Sequence, residues 1–348
     1  MRIILLSVFL FIFFSVTAQQ RKNPDSLLKV LPGTSGKEKV MTLQDLTLAW
    51  LGIDKDKTML YAEQALKEAE AIKNDSLIIA ALTYLAAAKE NYGDYSASLP
   101  LSERAVQLVR KTGDKKQLTT VLGHLAIDYF QTFQMDKTLS VAVEGLELAK
   151  ELKDTVGMTN MYEMHAQTYQ RLKNFDLAEK YFLQEIELVK KTNRQFELGR
   201  AYINIGVNYA MAKKYQQAIE SYEKGIIPFK KINYISGVAI THINLGDEYL
   251  RLGNYKKSRE NYQSALELNK DVKNPSIEGN VKAGLGRLEL ENGNYDTAKI
   301  YLLAAEELGM SMNDRELLKG VYNYLEGFSM AQHDFKNARI YNDKYTAS

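Results

Sequence analysis

The sequence contains no cysteine, and this absence excludes several classes of protein. Without thiols the chain cannot hold a disulfide scaffold, a zinc–thiolate site, a thiol nucleophile or the lipid anchor of a lipoprotein. An excess of one charge is also absent, because 45 basic residues stand against 43 acidic ones and the net charge is +2. Such a balance gives no electrostatic footprint for nucleic acid, so we expect no nucleic-acid partner.

Long apolar runs are equally scarce, and the one that exists lies at the N-terminus. It follows Arg2, covers Ile3–Val16 and ends before the small residue Ala18. Spanning a bilayer takes roughly 20 residues, and this shorter run with a small-residue exit is typical of a secretory signal peptide. We predict a signal peptide at residues 1–18, no membrane span in the mature chain, and an exported protein that is periplasmic or secreted after cleavage near Ala18-Gln19.

The remainder of the sequence repeats with a period of 40 residues. Residues 19–36 form a leader with two prolines and two glycines, and residues 37–348 form the predicted repeat domain. A large apolar residue recurs at Tyr95, Met135, Phe175, Tyr215, Tyr255, Tyr295 and Phe335. Three positions later a small residue recurs at Ser98, Thr138, Ala178, Ala218, Ser258, Ala298 and Ala338. This recurrence indicates one supersecondary unit that is repeated along the chain.

Within each unit the pattern predicts two helices. Leu245, Gly246 and Tyr249 have the spacing of one helical face, and a tight turn such as Gly253-Asn254 follows them. Short polar residues suited to capping precede the first helices at Asn74, Asp114, Asp154, Asn274 and Asp314. Others precede the second helices at Asp94, Asn174, Asn254, Asn294 and Asp334. The sequence therefore predicts an all-α fold, a solenoid of about eight antiparallel helix pairs.

The residues of one unit resemble a known family. The resemblance is carried by Ile243–Tyr249 followed by Gly253-Asn254-Tyr255, Ser258 and Tyr262, which is similar to the tetratricopeptide repeat. That repeat usually has a period of about 34 residues and a closing proline. Here the period is 40 and the proline is missing, as in the longer-period branch of the family. The resemblance implies a superhelical stack of helix pairs that binds a protein or peptide without catalysis.

No constellation of catalytic residues is recognisable in the sequence. The four histidines are far apart and occupy different positions of the repeat, at His124, His165, His242 and His333. A metal site needs several converging ligands, commonly at i and i+4 on one helix. Neither a serine nucleophile elbow nor a phosphate-binding loop is present. We therefore expect no catalytic residue, no metal ion, no cofactor and no enzymatic activity.

The first helices of the repeats carry a polar stripe that is distinct from the core stripe. It recurs in three units as Arg200, Asn204, Val207 and Met211, as Asn160, Met164, Gln167 and Arg171, and as Asn244, Asp247, Leu250 and Arg251. Asparagine pairs with peptide N–H and C=O groups whatever side chain the peptide carries, and the stripe resembles the groove asparagines of peptide-binding members of the family. We predict a peptide-binding groove at Arg171, Arg200, Asn204, Asn244, Asp247 and Arg251. A solvated face without a ligand is the alternative that the sequence leaves open.

A second reading keeps the fold and changes the biological role. Exported repeats of this kind resemble the N-terminal halves of bacterial sensor kinases and helix-turn-helix regulators, so the chain is alternatively a sensory input region, or a fragment, of such a protein. Its last predicted helix carries Phe335, Ala338, Tyr341 and Tyr345 on related faces, and no polar capping element follows. We therefore expect this uncapped C-terminal helix to contact a partner.

Export can be tested directly on the mature N-terminus. Because the apolar run is short and ends in small residues, we expect cleavage to leave a chain that begins near Gln19. N-terminal sequencing of protein expressed in a secreting host measures this. An intact Met1 recovered in the membrane fraction would contradict the prediction.

Overall fold

The computed structural model describes residues 22–347, which form seventeen α-helices and one 3-10 helix, with no strand among them. The predicted signal peptide at residues 1–18 and its cleavage point lie outside these residues. None of the described helices combines the length and apolarity needed to cross a membrane. The chain divides into two compact units at residues 188 and 189. We call the described residues 22–188 the N-terminal unit and residues 189–347 the C-terminal unit.

The helices of the N-terminal unit begin within the leader. The leader contains α1 (Pro24–Val30) and a 3-10 helix (Leu31–Gly33). The repeats follow as α2 (Gly36–Trp50), α3 (Lys55–Ile72), α4 (Asp75–Asn91), α5 (Tyr95–Thr112), α6 (Lys115–Gln131), α7 (Met135–Glu151), α8 (Thr155–Arg171) and α9 (Phe175–Lys190), whose last turn crosses the unit boundary.

The C-terminal unit continues the same alternation. Its helices are α10 (Gln195–Met211), α11 (Tyr215–Lys231), α12 (Ile235–Arg251), α13 (Tyr255–Val272), α14 (Pro275–Glu291), α15 (Tyr295–Met312), α16 (Arg315–Ala331) and α17 (Phe335–Ala347). Helices α2 to α17 therefore make eight pairs, as the 40-residue period predicts. Within α10 and α11, Gly199 lies against Phe229 and Gly206 lies against Tyr222. Because the later residue of one helix meets the earlier residue of the other, the pair is antiparallel.

Short polar side chains begin most of these helices. Each of the five predicted caps of the first helices accepts a hydrogen bond from a backbone N–H of the first turn, at Asn74, Asp114, Asp154, Asn274 and Asp314. The second helices are capped in the same way by Asp94, Asn174, Asn254 and Asp334. The prediction for Asn294 is wrong, because its side-chain amide donates to Glu289 Oε2 at 2.8 Å and makes no cap.

Close contact between paired helices is the main packing feature. All seven residues of the small series are buried, as predicted, and Ala218 and Ala298 are fully inaccessible to solvent. A Cβ atom added at Gly246 would lie 2.6 Å from the ring of Tyr262, itself fully buried. Real Cβ atoms do not approach a ring this closely, so the glycine is what lets the two backbones meet. The predicted all-α fold of eight antiparallel helix pairs is confirmed.

Enlarging one small residue tests this contact. Ala218→Leu forces extra methylene groups into the interface of α10 and α11, and we expect it to lower the free energy of unfolding by roughly 1–3 kcal/mol. Thermal melts followed by circular dichroism measure the change. Lys213→Arg, at an exposed position in the same turn region, is the control and should leave the melting temperature unchanged. Equal effects of the two substitutions would show that the repeat register is misassigned.

Candidate functional site

The first helix of each pair lines the inner side of its stack. In the N-terminal unit α2 contacts α4, α4 contacts α6 and α6 contacts α8. In the C-terminal unit α10, α12, α14 and α16 contact one another in the same succession. Second helices of successive pairs, as far as each unit is described, do not pack together in this way. The helices that approach each other lie on the inside of the curve, so the predicted stripe belongs to helices of the inner side.

The six predicted site residues fall into both units. Arg171 lies at the end of α8 in the N-terminal unit and is exposed. The other five lie in the C-terminal unit, two on α10 and three on α12: Arg200, Asn204, Asn244, Asp247 and Arg251. Asn204 and Asn244 are only 8% and 5% exposed, which is more buried than an open groove face suggests. Their assignment to a ligand site stays a prediction.

Unsatisfied amide atoms occur on the stripe in each unit. The Nδ2 donor of Asn244 is buried and has no hydrogen-bond partner among residues 22–347. On α8 the Gln167 amide donates to Glu163 Oε1 at 2.9 Å, but its own Oε1 is buried without a partner in the described structure. A buried polar group that makes no hydrogen bond costs about 1–3 kcal/mol. A ligand that reaches these buried atoms and supplies the missing donor or acceptor would remove that cost.

The end of α12 carries a compact set of charges. Tyr262 donates to Asp247 Oδ1 at 2.6 Å, and Arg251 Nη1 makes an ion pair with Glu248. The side chains of both ion-pair partners are almost completely buried. Burial alone lowers the pKa of Arg251, but the charges of Asp247 and Glu248 outweigh it and raise that pKa above its ordinary value. These groups hold Arg251 in place and leave the inner side of α12 strongly polar.

Sequence reasoning missed the continuation of this set onto α14 and α16. Arg287 Nε donates to Glu291 Oε1 at 3.0 Å, and its guanidinium lies 5.9 Å from the ring centre of Tyr324. Arg287 stands 40 residues after Asp247, and Tyr324 stands 80 residues after Asn244. Reading the stripe by repeat position rather than by residue type would have found both.

A second buried polar cluster lies in the N-terminal unit. His124 Nδ1 is 3.0 Å from each carboxylate oxygen of Glu90. The hydroxyls of Ser98 and Ser102 donate to Asp128 Oδ2 at 3.0 and 2.6 Å. All five side chains are buried. Sequence reasoning set His124 aside as an isolated histidine, because Glu90 belongs to the preceding pair and only stacking brings the two together.

The electrostatics of this cluster favour bound protons. Burial and the nearby charge of Glu90 raise the pKa of Asp128 to about 8. Burial alone would lower the pKa of His124, but the charge and hydrogen bond of Glu90 outweigh it and raise that pKa. Among the described residues no group of three or more metal-ligating side chains has an arrangement that suits a metal ion. The buried cluster therefore favours the protonated forms of Asp128 and His124.

The fold defines an all-α repeat protein built from antiparallel helix pairs. Family models described as Tetratricopeptide repeat match residues 157–226 and 239–272. These two segments of the chain are therefore tetratricopeptide repeats, and the helix pairs around them continue the same architecture. No curated protein matches the sequence significantly.

Solved structures of similar fold cover most of the chain. A Rap protein complexed with competence and sporulation factor is 12% identical, with a TM-score of 0.63 over 93% of this chain and 95% of that one. NprR in complex with its cognate peptide NprX is 17% identical, with a TM-score of 0.58 over 89% of each chain. A signal transduction ATPase with a tetratricopeptide repeat sensor, from Pyrococcus horikoshii, is 15% identical, with a TM-score of 0.64. This chain covers 93% of its own length and 51% of the ATPase.

The proton-binding cluster predicts how the stability of the N-terminal unit depends on pH. Folded Asp128 keeps its proton up to about pH 8, whereas the unfolded residue releases it near 3.8, so unfolding releases a proton between these values. The free energy of unfolding should therefore fall as the pH rises from 3.8 to about 8. His124 contributes with the same sign, because its folded pKa is also raised.

Urea unfolding followed by the fluorescence of Trp50 measures this dependence, since the only tryptophan lies in the N-terminal unit. Asp128→Asn still accepts hydrogen bonds from the serines but cannot ionise, so it should flatten the dependence and unfold at higher urea than the wild type at pH 8. The exposed substitution Asp136→Asn is the control. A wild-type stability that rises with pH over this range would contradict the assignment.

Proposed function

We propose that the chain is a non-catalytic scaffold that binds a peptide segment of another protein along the inner side of its first helices. The observation that carries the proposal is the buried, unpaired Nδ2 donor of Asn244 on α12. A peptide carbonyl oxygen would supply the acceptor that this donor lacks. The neighbouring Asp247 and Arg251 would provide an acceptor and a donor for further backbone or side-chain groups of the same peptide.

The structural relatives support this choice of ligand. Two of them were solved as complexes, the Rap protein with competence and sporulation factor and NprR with its cognate peptide NprX. Their sequence identity to this chain is below 20%, so the likeness itself concerns the fold. The peptide as ligand is inferred for this chain because the same architecture presents unsatisfied amide groups on its inner side.

A sensory input region is the second candidate function. It is supported by the similarity to the ATPase whose tetratricopeptide repeats are described as a sensor. In a scaffold, ligand binding changes only the residues around the ligand. In a sensor, binding must also change the conformation of a distant part of the protein. Amide hydrogen exchange with and without peptide separates the two. Protection confined to α10, α12 and α14 favours the scaffold, and changed exchange at α16 and α17 favours the sensor.

The peptide site can be tested with a double substitution on the inner side. Asn204→Ala with Asn244→Ala removes both amide groups, and each lost hydrogen bond is worth roughly 0.5–1.5 kcal/mol. We expect binding to weaken by about five- to a hundredfold. The probe is a peptide selected against the purified chain from a random display library, and isothermal calorimetry measures its affinity. Folding should be largely preserved, because alanine is the better helix former.

A matched double variant controls for the loss of two amides. Gln216→Ala with Gln263→Ala removes exposed amides from the second helices α11 and α13, and we expect its affinity to equal that of the wild type. Melting curves of both double variants confirm that they fold. Unchanged affinity in the Asn204 and Asn244 variant would move the peptide site away from the inner side. The surface of α17 around Tyr341 and Tyr345 would then be the next site to test.

A further inference from the structure

Arg171 is an arginine without an acidic partner in the part of the chain that the structure describes. Its Nη1 donates to the backbone oxygen of Phe130 at 2.7 Å. The guanidinium lies 3.8 Å from the ring centre of Phe130 and 4.9 Å from that of Phe133. Partial burial lowers the pKa of Arg171, and no neighbouring carboxylate counteracts this effect. The cation is therefore held in place by rings and one carbonyl, and its charge is not neutralised.

Arg251, the equivalent arginine of a later repeat, has an acidic partner that Arg171 lacks within residues 22–347. Arg251 stands 80 residues later, at the same repeat position, and its partner Glu248 stands three residues before it. The corresponding residue before Arg171 is Thr168, whose hydroxyl donates to Met164 O. The repeat thus provides an internal carboxylate at one position and omits it at the other. An arginine that is immobilised but lacks its acid is suited to receive one from outside.

Phe133 beside it adopts an unusual backbone conformation. Its φ angle is 62°, in the left-handed region that disfavours bulky residues. The equivalent turn position has the same left-handed backbone in the other repeats, where it holds glycine, lysine or histidine, at Gly93, Lys173, Lys213, Gly253, Gly293 and His333. The side chain of Phe133 is 76% exposed and that of Leu172 is 50% exposed, so neither is retained for core packing. The left-handed backbone is common to these turns, and what distinguishes Phe133 is an exposed, large apolar side chain, which is suited to a contact surface.

We propose that Phe130, Phe133, Arg171 and Leu172, which we name the Arg171 corner, bind a carboxylate of an acidic peptide segment that also carries an aromatic or aliphatic residue. Arg171 would take the carboxylate in a charge-assisted hydrogen bond, and Phe133 with Leu172 would contact the apolar neighbour. A carboxylate fits better than a phosphate group, because phosphate recognition commonly uses a cluster of arginines and the corner contains one. The corner lies in the N-terminal unit and stands independently of the Asn244 site.

The test uses a matched pair of labelled peptides. One is built from repeats of Glu-Ser-Asp-Phe, and the other replaces its acids by amides as repeats of Gln-Ser-Asn-Phe. Fluorescence anisotropy measures the affinity of the full mature chain for each. We expect the acidic peptide to bind about tenfold more tightly than the amide peptide, and Arg171→Gln to abolish the difference.

Phe133→Gly separates a binding role from a structural one. Glycine relieves the left-handed strain, so the melting temperature should stay the same or rise. Binding of the acidic peptide should nevertheless weaken by about fivefold or more, because an exposed aromatic contact is lost. Lys213→Gly, which makes the same backbone change at the equivalent turn of the C-terminal unit, is the control and should bind like the wild type. A lower melting temperature with unchanged binding would show that Phe133 is structural and would overturn the proposal.

Three further outcomes are decisive. Equal affinity of the two peptides, or no binding of either, contradicts carboxylate recognition at the Arg171 corner. Tighter binding of a phosphoserine form of the acidic peptide, lost in Arg171→Gln, would assign the corner to phosphate instead. The Asn204→Ala and Asn244→Ala variant should retain full affinity for the acidic peptide. Retained binding there, together with loss in Arg171→Gln, distinguishes this site from the proposed peptide site on the inner side.

Discussion

Close approach of paired helices is the constraint on which the rest of the structure depends. At Gly246 the absence of a side chain brings the backbone of α12 against the ring of Tyr262 on α13. The same arrangement recurs at Gly206 and Tyr222 in the preceding pair. Each pair can bury little apolar surface alone, so it is stable only when the next pair covers it. The 40-residue period of the sequence reflects this requirement, because each pair presents the same packing residues to the next.

The same close packing creates the polar inner side. A buried tyrosine needs a partner for its hydroxyl, and Tyr262 finds one in Asp247 of the facing helix. Asp247 in turn adds negative charge beside Arg251, which is paired with Glu248. Each polar residue is thus fixed by a neighbour that core packing has already placed. A ligand on the inner side would meet side chains whose orientation is largely set, which lowers the entropic cost of binding.

The sequence predicted the fold well and the site incompletely, for a physical reason. Small residues, caps and apolar stripes recur at one period, so each repeat confirms the assignment of the others. Polar residues of the inner side change from repeat to repeat, and some of their partners come from a different helix pair. Glu90 meets His124 only through stacking, and Arg287 joins Tyr324 in the same way. The burial of Asn204 and Asn244 was missed for the same reason, because it depends on neighbouring helix pairs about 40 residues away in the sequence.

The repeats therefore differ in their chemistry mainly at positions that depart from the repeat pattern. One buried position of the first helices holds Asp128, Thr168, Asn208 and Glu248 in four successive repeats. Glu248 neutralises an arginine, and Thr168 leaves the equivalent arginine without an acid. Asp128 instead retains a proton, because burial and the nearby charge of Glu90 raise its pKa. The same position holds the buried apolar residue Leu288 in the following repeat, so the fold requires neither a charge nor a polar side chain there. Variation of that kind changes the charge and the hydrogen-bonding groups of each repeat while the helix stack that supports them stays the same.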